Sequence, residues 1–378
     1  VESAAVTAPV RVAFVAPYAQ LGGSERYLRF LLETLGPEWV GDVVVLQEGP
    51  LVAELEALVK RPPLVVPTGP GARDIVRAAR ALRREVFRPG HDNEVVHANG
   101  LKAALVCVLA TRRIPVVWVK HDFSWDGRLA NLVARFCNTV VGVSRAVVET
   151  LPATRRVEVV HTGMPETSVD ETAARRHVLD VVGAGDDDSI VLLVGRIHPA
   201  KGQVELVEAI PRVVETSPHA RFVFLGGEDP NTTSYARRVR ARVTELGLDG
   251  RVSFTGHRDD AHLFVAGADV VVIPSVRDER GMGREGFSLV ALEAMMLGTA
   301  VVAYDDGALR EVLGDCGALV PPGDRGELAR AISKVIRDAE RRADYERCGR
   351  DRVRARFRVD DMVEALRSVY ARAAAARR

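Results

Sequence analysis

Arg11-Val-Ala-Phe-Val-Ala16, closed by Pro17, and Ile190-Val-Leu-Leu-Val194, closed by Gly195, decide the fold. Each is a short apolar run without polar alternation, which reads as a strand covered on both faces. After the first run come Gly22-Gly23-Ser24 and then residues 25–35, where Tyr27, Leu28, Leu31, Leu32 and Leu35 recur at helical spacing. Ser24 is a natural N-cap for that helix. Outward from this unit, strands are predicted at 42–46, 64–66, 94–97, 115–119, 139–143 and 157–160. Helices are predicted at 73–88, 101–111, 126–136 and 145–151. Residues 164–189 are polar and end in Gly183-Ala-Gly-Asp-Asp-Asp-Ser189, which reads as a linker. The second run opens a new series, with strands at 221–225, 252–255, 269–273 and 300–303. Strand–helix alternation of this kind defines an α/β protein with two doubly wound parallel sheets. The expected division is 1–180 and 181–357. The cleft between two such halves is the expected active site, because ligands of these sheets bind beyond the carboxyl ends of the strands.

Composition narrows the function. The 378 residues suit two or three domains. A hydrophobic fraction of 47% with 27% charged residues excludes wholesale disorder. Lys and Arg number 52 against 51 Asp and Glu, a formal charge of +1, which excludes a wholly basic nucleic-acid binder. Cys107, Cys137, Cys316 and Cys348 lie far apart with no C-x-x-C pair. This argues against a zinc ribbon or a dithiol redox motif, and the four read as reduced, mostly buried thiols of a cytoplasmic protein. No apolar stretch approaches the roughly 18 residues of a membrane span. Residues 1–9 lack the pattern of a signal peptide.

Three post-strand segments carry chemistry. Gly22 and Gly23 allow a ligand close to the backbone, and the following helix start offers N–H groups to an anion. The loop lacks the G-x-G-x-x-G pattern, so a nicotinamide enzyme is poorly supported. Val194-Gly-Arg196-Ile-His-Pro-Ala-Lys201-Gly202 places a guanidinium and an ammonium five residues apart, suited to a diphosphate leaving group. Arg284-Glu285-Gly-Phe-Ser-Leu-Val-Ala-Leu-Glu293 sets two carboxylates in an otherwise apolar stretch, where each needs a polar partner. Hydroxyls of a sugar and a ribose would supply them. Backbone N–H groups of Ser288 and Leu289 fall at a helix N-terminus, where a phosphate is favoured. Asp186-Asp-Asp188 is read as a solvated run in the linker, not a metal site.

These pieces resemble the retaining GT-B glycosyltransferases of family 4. The resemblance runs in order through Gly22-Gly23-Ser-Glu25, Lys120-His121-Asp122, Val141-Gly-Val-Ser144, Gly195-Arg196 with Lys201-Gly202, Leu225-Gly226-Gly, Gly256 and Glu285-Gly-Phe with Glu293. It implies two facing Rossmann-like domains and transfer from a nucleoside diphosphate sugar, UDP favoured, with retention and without a metal or other cofactor. By position, Arg196 and Lys201 resemble the donor-diphosphate pair, and Glu293 the ribose-binding carboxylate. Glu285, with the backbone of Gly286, Phe287, Ser288 and Leu289, resembles the sugar-binding group. His121 resembles the histidine near the transferring sugar. Gly22 and Gly23 resemble the loop against the diphosphate and sugar, and Gly226, His257 and Arg258 the lining of the base pocket. The sequence departs from the family pattern at Ser288, at His161-Thr162-Gly163 and at Asp305-Asp306-Gly307.

The first half is expected to take the acceptor, a small molecule, natural product or cell-envelope glycan or lipid. Tyr18, Gln20, Asp122, Phe123, Trp125 and Asp126 are the candidates. The Arg-rich helix at 73–88 is expected to lie solvated on its sheet, with docking on anionic lipid as the alternative. Residues 330–378 hold 15 basic and 8 acidic residues. Helices are predicted there at 327–343 and 360–375. By the resemblance, the last helix (358–378) crosses back onto the first half, burying Met362, Leu366, Val369 and Tyr370. Alternatives of the same fold are a sugar-nucleotide epimerase, a phosphorylase, or a non-catalytic nucleotide-sugar-binding subunit.

Overall fold

The computed structural model describes residues 8–151, 156–277 and 283–376. The first seven strands are β1 (Val12–Ala16), β2 (Val40–Val45), β3 (Leu64–Val65), β4 (Val95–Asn99), β5 (Val116–Lys120), β6 (Thr139–Gly142) and β7 (Val157–Val159). They pair in parallel in the order β3-β2-β1-β4-β5-β6-β7. The next six are β8 (Ser189–Val194), β9 (Ala220–Leu225), β10 (Val252–Gly256), β11 (Val270–Ile273), β12 (Ala300–Tyr304) and β13 (Ala318–Val320). Their order is β10-β9-β8-β11-β12-β13, again parallel throughout. In both sheets the first strand in sequence is central and the order reverses beside it, which is the switch point where such sheets take ligands. β1, β4 and β5 are buried at every position, as continuous apolar strands between two helical layers must be.

The chain divides into two compact units. Unit 1 is the chain up to Pro165 together with the segment from Phe357, and unit 2 is Glu166–Arg356. The expected division at 180/181 is therefore corrected to 165/166. The supposed linker contains the helix Glu171–Val182, which packs on the helix Ala261–Gly267 of unit 2. Asp170 caps its start and Gly183 ends it in the left-handed region. Only Ala174, Val178 and Leu179 are buried, a stripe too thin to stand out in a polar segment. Arg175 fastens the helix to Asp269 at 2.8 Å. Asp188 is not part of a solvated run either. It is buried and accepts from Arg221 at 3.0 Å and from the Gly185 N–H at 2.9 Å.

Three other expectations change. The first helix is Gly23–Leu35 with Gly22 at its N-cap, and the Ser24 hydroxyl bonds Glu25 instead of capping. The helix predicted at 327–343 breaks at Asp338 into Arg325–Arg337 and Ala339–Arg356, Asp338 accepting from the Arg341 N–H. Cys316 and Cys348 form a disulfide, so they are not two reduced thiols. They lie 32 residues apart in sequence, but Ala339–Arg356 runs back past the loop before β13 and brings their Cα atoms to 5.2 Å. Cys107 and Cys137 are buried thiols outside any disulfide.

The helix Val359–Ala375 buries Met362, Leu366, Val369 and Tyr370, with Val359, Val363 and Ala373. It packs on Gly23–Leu35, β4 and β5. Its Arg367 donates to the Leu35 carbonyl, an otherwise open helix end. In the helix Ala72–Glu85, Ile75, Ala78, Ala79 and Leu82 face inward against the helix Leu101–Ala110, while the arginines lie outside. No described helix is long and apolar enough to cross a membrane.

Candidate active site

In unit 2 the chemistry gathers beyond β8 and β11. Lys201 follows β8 in a 3-10 turn, Pro199–Lys201, and Glu285 precedes the helix Leu289–Leu297. They are 84 residues apart in sequence, yet Lys201 Nζ lies 2.7 Å from Glu285 Oε1. Ser275, just past β11, donates its hydroxyl to the same oxygen at 2.6 Å. Burial pushes the Glu285 carboxyl up, but the Lys201 ammonium and the two hydrogen bonds outweigh it and hold the group below its usual range. Oε1 is thus fixed by two donors, and Oε2 takes neither.

Backbone approach makes this pairing possible. Gly202 has φ +67°, and a side chain there would collide with the Pro274 carbonyl, so only glycine brings Lys201 beside Ser275. Gly307 has φ +63° and presses on the Glu285 carbonyl, which accepts from the Ala308 N–H at 2.8 Å. Asp306 accepts from Arg284 at 3.1 Å and from the Gly307 N–H at 2.9 Å. The departure at 305–307 is therefore a clamp on the Glu285 segment. Ser288 is the N-cap of Leu289–Leu297, its hydroxyl accepting from the Ala291 N–H. Glu293 lies within that helix and is only half-buried.

Arg196 joins a different carboxylate. Its Nη1 lies 2.9 Å from Asp229, which is buried, while the guanidinium itself is largely exposed. Buried Gln203 donates to the Arg196 carbonyl at 2.9 Å and closes the loop. His257 is exposed beside Asp259, and Arg258 forks onto Asp260 with two bonds of 2.7 Å. Gly226 abuts the Gly195 carbonyl, a backbone contact that fixes the β8 and β9 loops together.

In unit 1, His121 follows β5, and its Nε2 lies 2.6 Å from Asn99 Oδ1 at the end of β4. Tyr27 packs edge-on against the His121 ring at 4.7 Å. Burial, then neighbouring His97 and Lys120, lowers the His121 pKa to about 3, so the ring is neutral near pH 7. Gly22 stands close to the carboxylate of Glu25, which is buried at the start of Gly23–Leu35. Tyr18 is about half exposed, lies under the Lys102 ammonium, and has its hydroxyl pKa raised by partial burial, Asp122 and Glu25, which groups these residues. Gln20 is exposed on the same loop. Trp125 is 72% exposed with φ +59°, a conformation uncommon for a bulky residue. Asp126 is corrected as an acceptor group, because it pairs at 2.7 Å with Lys120, whose side chain is buried. Phe123 lies under the same ammonium.

Sequence reading missed Ser275, Asp229 and Asn99, and quoted Lys120 without seeing that it is buried. All stand at or just past the carboxyl end of a strand, so the rule of inspecting post-strand residues contained the signal.

Comparisons with known proteins follow this layout. Residues 21–167 match the model of Glycosyltransferase Family 4, and residues 188–338 that of Glycosyl transferases group 1. A D-inositol 3-phosphate glycosyltransferase of Acidothermus cellulolyticus is 30% identical over 79% of this chain and 72% of its own. One of that name from Stackebrandtia nassauensis is 36% identical over 47% of this chain, and the match spans only 39% of that relative. A phosphatidyl-myo-inositol mannosyltransferase of Mycolicibacterium smegmatis is 36% identical over 43% of this chain and 40% of its own. Among solved structures, Anabaena HepE in complex with UDP and glucose superposes with a TM-score of 0.81 at 22% identity, covering 95% of this chain and 99% of that one. Sucrose-phosphate synthase from Thermosynechococcus elongatus gives 0.79 at 21% identity, over 97% and 100%. The two parallel-sheet units are the Rossmann-like domains of the GT-B fold, and the chain belongs to the family 4 glycosyltransferases.

Proposed function

We propose that the chain moves a glycosyl group from a nucleoside diphosphate sugar to a hydroxyl of a polyhydroxylated acceptor, with retention of anomeric configuration. The Lys201–Glu285–Ser275 cluster carries this reading. An ammonium and an oriented carboxylate meet beside a helix N-terminus at the carboxyl end of a parallel sheet. Lys201, with Arg196, takes the diphosphate; Glu285 Oε2 and the backbone of 286–289 take the sugar hydroxyls; Glu293 takes the ribose. In the transfer the bond from anomeric carbon to β-phosphate oxygen breaks. The acceptor oxygen bonds the same face of that carbon, and its proton goes to the departing diphosphate. The step is charge stabilisation by fixed groups, which needs no redox partner. Arg196 and Lys201 supply that charge, so turnover is expected to survive chelation of divalent cations by EDTA. The preference for UDP rests on the family resemblance. The inositol-linked names of the relatives support a cyclitol-bearing acceptor, in the range of small-molecule, natural-product or cell-envelope acceptors.

The test is nucleoside diphosphate release from a panel of nucleotide sugars, with and without polyol acceptors such as myo-inositol and its phosphates. Release that depends on the acceptor is expected, and Glu285→Gln slows it by roughly 10²–10³. Conversion of the donor without acceptor would instead indicate an epimerase. Phosphate-dependent cleavage would indicate a phosphorylase, and tight binding without turnover a non-catalytic subunit.

A further inference from the structure

Asn99 has no part in the transfer as described, yet it is fully buried and touches both unit 1 loops assigned to the site. Its Nδ2 donates to the Ser24 carbonyl at 3.1 Å. A carbonyl can only accept, so this bond fixes the amide's orientation and turns Oδ1 toward His121 Nε2, 2.6 Å away. Oδ1 in turn can only accept, so the proton of that contact belongs to Nε2. A neutral imidazole carries one proton, and Nδ1 is left as a bare lone pair. The edge-on Tyr27 ring holds the imidazole plane. Behind Asn99 on the same strand stands His97, fully buried, with Nδ1 2.6 Å from the Tyr370 hydroxyl of the helix Val359–Ala375.

We propose that Asn99 is a positioning residue that locks His121 as the Nε2–H tautomer, so that His121 meets its substrate through Nδ1 as a hydrogen-bond acceptor and not as a proton donor. The proposal rests on the reading of His121 as a site residue. One amide thereby sets the imidazole and, through Ser24, the Gly22–Gly23 loop. The charged and titratable groups around the ring agree with a neutral histidine. Lys120 on the same segment is satisfied by Asp126. His97 on β4 is itself held neutral by burial. Tyr27, on the helix packed against the ring, stays protonated because burial raises its pKa. Asp122 adjoins His121 in sequence, and Glu25 adjoins the Ser24 that Asn99 binds.

The primary test reads the wild-type ring directly. In the full chain labelled with 15N-histidine, His121→Gln assigns the signals by difference. Long-range 1H–15N correlation at pH 7 is expected to show a protonated Nε2 and an unprotonated Nδ1, unchanged from pH 5 to 8. An Nδ1–H tautomer or an imidazolium at pH 7 would overturn the proposal whether or not the protein is a glycosyltransferase. The second test is functional. Asn99→Asp puts a carboxylate against Nε2, raises the His121 pKa into the measured range, and adds an acid-side loss to the kcat/KM profile that the wild type lacks. Asn99→Leu removes both bonds of the amide, to His121 and to Ser24, and kcat is expected to fall by at least about tenfold. An Asn99→Asp profile superimposable on the wild type, in a protein that unfolds at the wild-type temperature, also overturns it. Failure of the glycosyltransferase reading would show separately, as absent transfer by the wild type.

Discussion

Oε1 of Glu285 receives an ammonium and a hydroxyl at once, and the two are not equivalent. Lys201 contributes charge, whereas Ser275 contributes direction. Removing the hydroxyl in Ser275→Ala leaves the carboxyl less well held, and its pKa rises toward the ordinary range. The sign is therefore set: the ionised form is lost at a higher pH, so the acid limb of kcat/KM moves upward, with a drop of about tenfold near neutrality. Glu285→Gln keeps the shape but loses the charge and is expected to cost roughly 10²–10³ in kcat. A pH–rate profile checks both. His97 and His121 make a second prediction at this scale. Both are neutral in the folded protein with pKa values lowered to about 3, against an ordinary value near 6.5. The unfolded chain binds more protons between those values. Stability is fully present above pH 6.5 and falls as pH drops toward 3, by up to about 1.4 kcal/mol per pH unit for each ring. Urea unfolding at pH 7, 5.5 and 4.5 should show this loss, and His97→Phe should flatten it. The sequence showed Glu285 and Lys201 because their types are rare in apolar surroundings. It could not show that Asp126 is spent on Lys120, because a pairing six residues apart depends on how the 121–127 loop folds.

The helix Ala339–Arg356 buries only Gly349 and Val353, so apolar burial alone does not hold it. It is fastened by polar and covalent ties instead. Arg352 donates to the carbonyls of Val312 and Glu311 at 2.8 and 2.9 Å, closing the end of the helix Leu309–Leu313. Arg350 reaches the Leu297 carbonyl at the end of Leu289–Leu297, and Cys348 is bonded to Cys316. Arg352→Ala removes both of these bonds and is expected to destabilise by about 1–3 kcal/mol. Cys348→Ser opens a loop closed over 32 residues, for which chain entropy gives about 3–4 kcal/mol as an upper figure. Calorimetry with and without reductant checks the second, and reduction should have no effect on the variant. This element also marks where sequence patterning ends. Long apolar strands such as β4 and β8 are legible because both faces are buried. A helix held by guanidinium caps has no apolar stripe to read, which is why 327–343 was expected as one helix and Glu171–Val182 as a linker.

The units are interleaved in sequence, since unit 2 is inserted between the body of unit 1 and its last helix. Unit 2 contains its own six-stranded sheet and its own core around Val191, Phe222, Val270 and Val302. A fragment of residues 166–356 is therefore expected to unfold cooperatively, with its melting temperature raised by a nucleoside diphosphate. Ending the chain before Phe357 should have the opposite effect on unit 1. Met362, Val363, Leu366, Val369 and Tyr370 each remove about 1.5–3 kcal/mol of apolar surface from water, a sum comparable with the whole stability of a domain. Loss of the unit 1 transition, with unit 2 melting unchanged, is the expected calorimetric trace. The two-sheet plan was visible in the two strand runs quoted at the outset. The point of division was not, because contacts made by a polar helix decide it.

That interleaving also sets an order in time. On the ribosome, β1 to β7 emerge long before the helix that completes them, and all of unit 2 is made in between. At about 5–20 residues per second this interval is roughly 10–40 s. During it the faces of β4, β5 and Gly23–Leu35 that await Met362, Leu366 and Tyr370 have no cover. The half built first is thus finished last, and its exposed seam is where a nascent chain would call on a chaperone.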